Sequence, residues 1–268
     1  MKWYLFLALA LLVPLVSCRQ LPIDSLTGKP LPTETPIVYS SAAPSLAPTA
    51  GAAPKFYWVS SPSTQVKEKA GWDEPGWNHQ QLRGGEIQVV DDARYGKVLK
   101  FLITEDTPEV RIQLTKTGPP VSGPCTVRIP VWLSADYQPA GERSWANLFT
   151  VLSSTPATDD KGFDVLASID VLGSLIPNLN VKQPYNVDET LNYWPGKTPL
   201  TREQWHLLEL AVDQEGLLHL YLDGEQQASG PIHPGGRNAV ELLQGGAFGA
   251  GLPKGSFILN GPLELICW

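Results

Sequence analysis

The clearest pattern in the chain lies at Trp205–Gly224, WHLLELAVDQEGLLHLYLDG. Leu208, Leu210 and Val212 alternate with Glu209, Ala211 and Asp213, and the chain turns at Asp213-Gln-Glu-Gly216. Leu218, Leu220 and Leu222 then alternate with His219, Tyr221 and Asp223, and Asp223-Gly224 forms a second turn signal. A period of two between glycine-containing turns predicts a hairpin in a half-buried antiparallel sheet. The same test along the chain predicts strands at 56–59, 86–90, 97–103, 109–115, 125–133, 145–152, 163–172, 207–213, 217–223, 256–260 and 262–268. The stretches between them are rich in Gly, Pro, Asp and Ser. Two short helical turns are expected, at Thr201-Arg-Glu-Gln204 with its capping-box spacing and at 238–243. Eleven short strands without a long helix predict an all-β, two-sheet antiparallel sandwich over residues 56–268, with no repeat and no second domain.

Two segments precede it. Lys2 is followed by a nearly unbroken apolar run from Trp3 to Val16. That run is shorter than the ~20 residues of a membrane span and carries Pro14, so it reads as an export signal. It ends in Leu15-Val16-Ser17-Cys18, which resembles the lipobox of bacterial lipoproteins. The resemblance implies a signal peptide at 1–18, a diacylglyceryl group on Cys18, and a chain held at the cell-envelope surface by its acyl chains, at ~0.8 kcal/mol per buried CH₂. The alternative is an ordinary secretory signal. Arg19 follows the cysteine, where Asp often marks inner-membrane retention in such lipoproteins. Residues 19–55 hold seven prolines among Ser, Thr and Ala, with no apolar period. Such a stretch cannot bury a core and predicts a disordered, extended tether reaching on the order of 100 Å at ~3.1 Å per residue.

Composition narrows the partners. A net charge of −7 lacks the basic footprint that phosphate backbones require, so no nucleic-acid partner is expected. It also disfavours an anionic membrane surface, leaving the lipid anchor as the only membrane contact of what is expected to be a monomer. Once Cys18 is lipidated, Cys125 and Cys267 remain, either as a disulfide or as two buried thiols. The four histidines lack zinc spacing.

The order of several short motifs carries a second resemblance. Gly71-Trp72, Trp77, Val89-Val90-Asp91-Asp92, Gly96-Lys97-Val98-Leu99-Lys100-Phe101 and Arg111 look like the opening of concanavalin A-like jelly rolls of the polysaccharide-lyase type. The strand at 126–133 with Tyr137 fits their next element. Trp205-His206 with Tyr221-Leu222-Asp223-Gly224 resembles the strand pair shared with laminin G-like domains, and Gly245-Gly246-Ala247-Phe248-Gly249 precedes a closing strand as in that group. The resemblance implies a jelly roll with one concave face that commonly binds extended glycans. Calcium is common in that superfamily, and Asp91-Asp92, Glu105-Asp106 and Asp159-Asp160 could supply oxygen ligands, but none has EF-hand spacing and no cofactor is expected.

Chemistry is less legible. There is no G-x-S-x-G elbow and no E-x-D-x-x-E glucanase strand. Asp164 and Asp170 share a strand face but lie ~20 Å apart at ~3.3 Å per residue, beyond the ~5–10 Å of paired-carboxylate hydrolysis. Related lyases use an early-strand Arg, a Gln or Asn with a His, and a Tyr; Arg111 and Gln113 fit the first part, and Tyr221 or Tyr193 the last. The middle strand offers Asp and Ser where a His is wanted. His206 and His219 fall outside the apolar alternation and are expected toward solvent or the ligand face. Strand parity places Arg111 and Gln113, Arg128 and Trp132, and Asp164 and Asp170 on polar faces; were these strands neighbours, the six would form one carbohydrate-binding surface. The expected function is polysaccharide binding by an envelope lipoprotein. The alternatives are a polysaccharide lyase acting by β-elimination and a structural envelope protein without a glycan ligand.

Overall fold

The computed structural model describes residues 53–60, 62, 72–74, 76–141, 144–153, 165–182, 191–231 and 239–268. The expected signal peptide, Cys18, most of the tether, Asp159-Asp160 and Asp164 lie outside them. The described chain is all β. In chain order its strands are β1 (Phe56–Val59), β2 (His79–Arg83), β3 (Gly85–Asp92), β4 (Gly96–Ile103), β5 (Glu109–Ser122), β6 (Cys125–Leu133), β7 (Trp145–Ser153) and β8 (Val165–Val171). They continue as β9 (Pro177–Lys182), β10 (Leu191–Trp194), β11 (Trp205–Val212), β12 (Leu217–Leu222), β13 (Glu225–Pro231), β14 (Ala239–Ala250), β15 (Phe257–Asn260) and β16 (Glu264–Cys267).

All pairings are antiparallel. One sheet runs β13-β12-β11-β6-β15-β4-β3, with β16 also on β6 and β1 on β16; the other runs β10-β9-β8-β7-β14-β5-β2. Strand β6 serves β15 with one half and β16 with the other, because Gly261-Pro262 breaks the run between them and the Gly261 N–H bonds Pro130 O instead (2.9 Å). The two expected helical turns are corrected. Residues 239–243 form the start of β14, the central strand that pairs with both β5 and β7. Residues 202–204 make a non-helical turn in which Glu203 has φ 59°, and its N–H bonds Leu133 O.

The inward faces carry the alternating apolar set. Phe101, Ile103, Ile129 and Leu133 of one sheet, and Ile112, Leu114 and Phe149 of the other, are fully buried. Burying each such side chain contributes about 1.5–3 kcal/mol. Trp58, Trp72 and Trp77 pack edge to face, with Trp58–Trp72 centroids 5.5 Å apart, and Trp72 lies against Gly118 of β5, where a Cβ would come within 2.2 Å of the indole. This nest joins β1 of one sheet to β5 of the other. Lys116, at 0% exposure, caps it: its Nζ donates to Glu74 O (2.6 Å) and sits 5.5 Å over the Trp58 ring. Cys125 and Cys267 stand directly opposite on β6 and β16 and are joined by a disulfide spanning 142 residues.

The expected exposure of His206 is also corrected, whereas His219 is half-buried. His206 is 5% exposed; Thr201 N–H donates to its Nε2 (2.9 Å), and its Nδ1 lies 2.7 Å from Asp223 Oδ2. Asp223 also accepts from Leu207 N–H (2.7 Å), so the pair ties the β12–β13 turn to the start of β11. His219 Nε2 lies 2.9 Å from Asp213 Oδ2 in the preceding turn. Burial alone would raise the Asp213 carboxyl, but the His219 hydrogen bond, the Leu217 N–H and the His219 charge outweigh it and hold the pKa below the ordinary value. A depressed carboxylate contributes stability above its unfolded pKa and loses it as pH falls through the folded one. Asp213→Asn is therefore expected to lower Tm near neutrality, with the gap to wild type closing below about pH 4. A gap that is constant with pH, followed by thermal melts from pH 7 to 2, would show that the charge plays no part.

Candidate functional site: the outer face of the seven-stranded sheet

Parity sets which side chains line this face. On β5, Val110, Ile112 and Leu114 point into the core, so Arg111, Gln113 and Thr115 point out. Cross-strand register extends the pattern. One row runs Arg83, Arg111, Phe248, Asn147, Asp170 and Asn178 across β2, β5, β14, β7, β8 and β9. A second runs His79, Thr115, Gln244, Thr150, Ser168, Asn180 and Tyr193, from β2 to β10. Gln81, Gln113 and Gly246 lie between them. Seven strands give a band on the order of 30 Å long at ~4.8 Å per strand.

Two aligned bulges shape its middle. The β14–β7 register shifts between Gly245 and Phe248, and the β7–β8 register shifts between Asn147 and Phe149. In a regular strand Asn147 and Thr150 would face opposite ways; the extra residue turns both outward, and the Thr150 hydroxyl donates to Asn147 Oδ1 (3.0 Å). Gly246 permits the β14 bulge with φ 127° and a backbone lying so close to Ile112 O that no side chain fits.

The polar groups here are not ordinary solvated ones. Gln113, Thr115, Asn147, Thr150 and Asn178 are all buried, although they point away from the core. Gln244 Nε2 donates to Thr115 Oγ1 (3.3 Å). The Arg111 guanidinium stacks 4.1 Å from the Phe248 centroid, and Phe248 meets Trp145 edge-on at 4.7 Å. Arg111 reaches Gln81 Oε1 only at 3.5 Å, and its buried Nε has no hydrogen-bond partner. No carboxylate among the described residues pairs with it. Arg83 by contrast lies 3.5 Å from Glu109 in an exposed pair of little energetic weight. His79 is exposed at the β2 edge.

The six residues expected to share one surface are divided. Arg111, Gln113 and the register position of Asp170 belong to this face. Arg128 and Trp132 lie on β6, in the opposite sheet. The outward parity of Arg111, Gln113, Arg128 and Trp132 holds, but alternation does not say which sheet a strand joins. Arg128 is engaged by Glu209 (2.5 Å), and Trp132 stacks on Phe257 at 5.4 Å, with Lys100 4.2 Å over the Phe257 ring. Tyr221 is on that sheet too, buried, and its phenol is pushed up by burial and by Glu209 and Asp213. Tyr193 stays on the seven-stranded face, 43% exposed. His79, Gln81 and Arg83 were missed because β2 has no apolar alternation; their own period-two polar spacing was the signal.

Among the described residues no group of three or more His, Cys, Asp or Glu is arranged to hold a metal ion. Asp91 pairs with Lys97, and Asp92 caps its own turn through Arg94 N–H (2.8 Å) and Tyr95 N–H (2.7 Å).

No protein-family model and no curated protein matches the chain. Solved structures do. An endo-β-1,4-glucuronan lyase from the fungus Trichoderma reesei aligns over 81% of this chain and 96% of its own, with TM-score 0.52 and 12% identity. A glycoside hydrolase family 16 endo-glucanase from Bacteroides ovatus aligns over 67% of this chain and 84% of its own, with TM-score 0.52 and 11% identity. Alginate lyase vAL-1 from a Chlorella virus aligns over 72% and 93%, with TM-score 0.50 and 9% identity. The two antiparallel sheets, their strand order and these likenesses identify the fold as a concanavalin A-like jelly-roll sandwich.

Proposed function

We propose that the outer face of the seven-stranded sheet binds an extended polysaccharide, and that the chain presents it from the cell envelope on a lipid anchor at Cys18. The observation that carries the glycan reading is the band itself. Buried amides and hydroxyls, which both donate and accept, run across the sheet beside an aromatic pair and an arginine with no carboxylate partner. Sugar hydroxyls exchange hydrogen bonds with groups of this kind, and the Phe248–Trp145 pair offers apolar area to a ring. The names of the three similar enzymes, two lyases and one glucanase, agree with a saccharide ligand. The export signal and lipobox support the anchor.

One observation favours a second reading, a lyase acting by β-elimination: exposed His79 stands on the same face as Arg111 and Gln113. In that reaction a base takes the proton beside a uronate carboxylate, the C–O bond breaks, and the leaving oxygen takes up a proton. Hydrolysis is less well supported. Glu109 on β5 and the register position of Asp170 on β8 stand three strand spacings apart, about 14 Å, against the ~5–10 Å a hydrolytic pair needs.

The test is a glycan array with the full chain. Arg111→Ala and Gln113→Ala are each expected to weaken binding about tenfold with Tm unchanged, while Trp132→Ala on the other sheet changes nothing. Wild-type affinity in both Arg111→Ala and Gln113→Ala would sink the site. Release of an unsaturated uronate, lost in His79→Ala, would select the lyase reading. Cys18→Ala is expected to move the chain out of the membrane fraction; unchanged fractionation and no acyl chain on the wild type would refute the anchor.

A further inference from the structure

We infer that the polymer taken by this face is N-acetylated, and that an acetamido group of one of its sugars seats in a gap over Gly246, in the middle of the band. The inference rests on the glycan-binding reading above and names a substituent that reading leaves open.

The β14 bulge makes the gap. Along β14, Leu243 and Ala247 are fully buried in the core, while Gln244 and Phe248 face outward on either side of Gly246. Gly245 faces the core as well, where a Cβ would meet Asn260, Ile129 and Trp77. Gly246 therefore holds the position between the two outward side chains with backbone alone beneath it. Gln244 and Phe248 are four residues apart, about 13 Å at ~3.3 Å per residue. On β5 the partner of Gly246 is Gln113, which points outward and is 3% exposed. On β7 Gly246 has no partner, because the register passes from Gly245–Phe149 to Phe248–Asn147. Asn147 and Thr150 close that side, tied by their hydrogen bond (3.0 Å).

The walls of the gap carry a donor, an acceptor and an apolar surface. Gln113 offers an amide N–H from β5. Gln244 Nε2 donates to Thr115 Oγ1 (3.3 Å), which orients that amide and leaves its Oε1 to accept. Phe248, met edge-on by Trp145 at 4.7 Å, offers ring carbon. An acetamido group has the matching set: a carbonyl that accepts, an N–H that donates and a methyl that gains from apolar contact. It also reaches further from the sugar ring than a hydroxyl does, into a gap where no side chain rises. A site built to hydrogen-bond a substituent rejects the analogue that lacks it, because the site's own polar groups are then left unmet. Arg111, stacked on Phe248, borders the gap and makes a uronate the natural competitor. A carboxylate only accepts, so it takes the Gln113 donor but has no proton for Gln244 Oε1, and the two acceptors oppose each other.

The experiment is calorimetric titration of the full chain with three hexasaccharides: chitohexaose, cellohexaose, which differs from it only in carrying a hydroxyl for each acetamido group, and a β-1,4-linked hexaglucuronate. Two hydrogen bonds gained out of water predict that chitohexaose binds about tenfold tighter than either of the others. Gln244→Leu should remove that preference at an unchanged Tm. Gln244→Glu, whose carboxylate still accepts from an acetamido N–H and from the Thr115 hydroxyl, should keep most of it. Equal or tighter binding of cellohexaose or the hexaglucuronate by the wild type would overturn the inference and leave the glycan-binding reading standing, as would a chitohexaose preference that survives Gln244→Leu. Binding of none of the three would overturn it too, and the glycan array then decides the broader reading on its own.

Discussion

Gly246→Ala is expected to destabilise the domain by about 2–5 kcal/mol, a fall in Tm on the order of 10 °C. Two costs combine. The backbone at Gly246 has φ 127°, a region that side-chain-bearing residues rarely occupy, which costs about 1–3 kcal/mol. An added Cβ would also stand 2.2 Å from Ile112 O and 2.8 Å from Phe101 Cε1. The first is backbone of the neighbouring strand and the second is a fully buried ring of the opposite sheet, so neither yields cheaply. Gly216 is the control: it has φ 80° but nothing within 4 Å of its Cβ position, so Gly216→Ala should cost about 1 kcal/mol. The difference between the two substitutions isolates the contact. Similar melting temperatures for both would show that the sheets at Gly246 can part, and that the close approach there is not what shapes the bulge.

Removing the Cys125–Cys267 disulfide has the other large expected effect. It links residues 142 apart, and the loop-closure argument for so long a loop gives about 5 kcal/mol, with measured losses commonly 2–5. The location adds to the consequence. β16 holds β1, and β1 carries Trp58, one member of the tryptophan nest. Without the cross-link the last strand is retained only by its ladder with β6 and β1. Urea denaturation with and without reductant, compared with a Cys125→Ser/Cys267→Ser variant, should show the reduced protein and the variant unfolding together at a clearly lower midpoint. An unchanged midpoint under full reduction would mean that the strand ladder alone secures the C-terminal end.

The site was half legible. Arg111 and Gln113 were placed correctly on a polar face because Val110, Ile112 and Leu114 define the opposite one, and that inference needs five residues only. Arg128 and Trp132 were read by the same rule and their outward parity holds, yet they belong to the other sheet. Residues 79–83 gave no apolar signal because β2 is a short edge strand that leaves Leu82 half exposed. Residues 239–243 looked helical in isolation, and became a strand because β5 and β7 on either side supply the hydrogen bonds that a central strand requires.

By itself, then, the sequence determined what depends on neighbours along the chain: the all-β class, most strand positions, and which residues of each strand face inward. Backbone geometry sends successive side chains to opposite sides, so a period of two is written locally. Only the tertiary structure decided which strands share a sheet, where the bulges fall, and that His206 is buried against Asp223 while His219 sits half-buried beside Asp213. Those outcomes depend on pairings between segments far apart, such as β5 with β14 and β6 with β16. The same alternating strand can satisfy its apolar face in either sheet, and only the closing of the whole sandwich selects one.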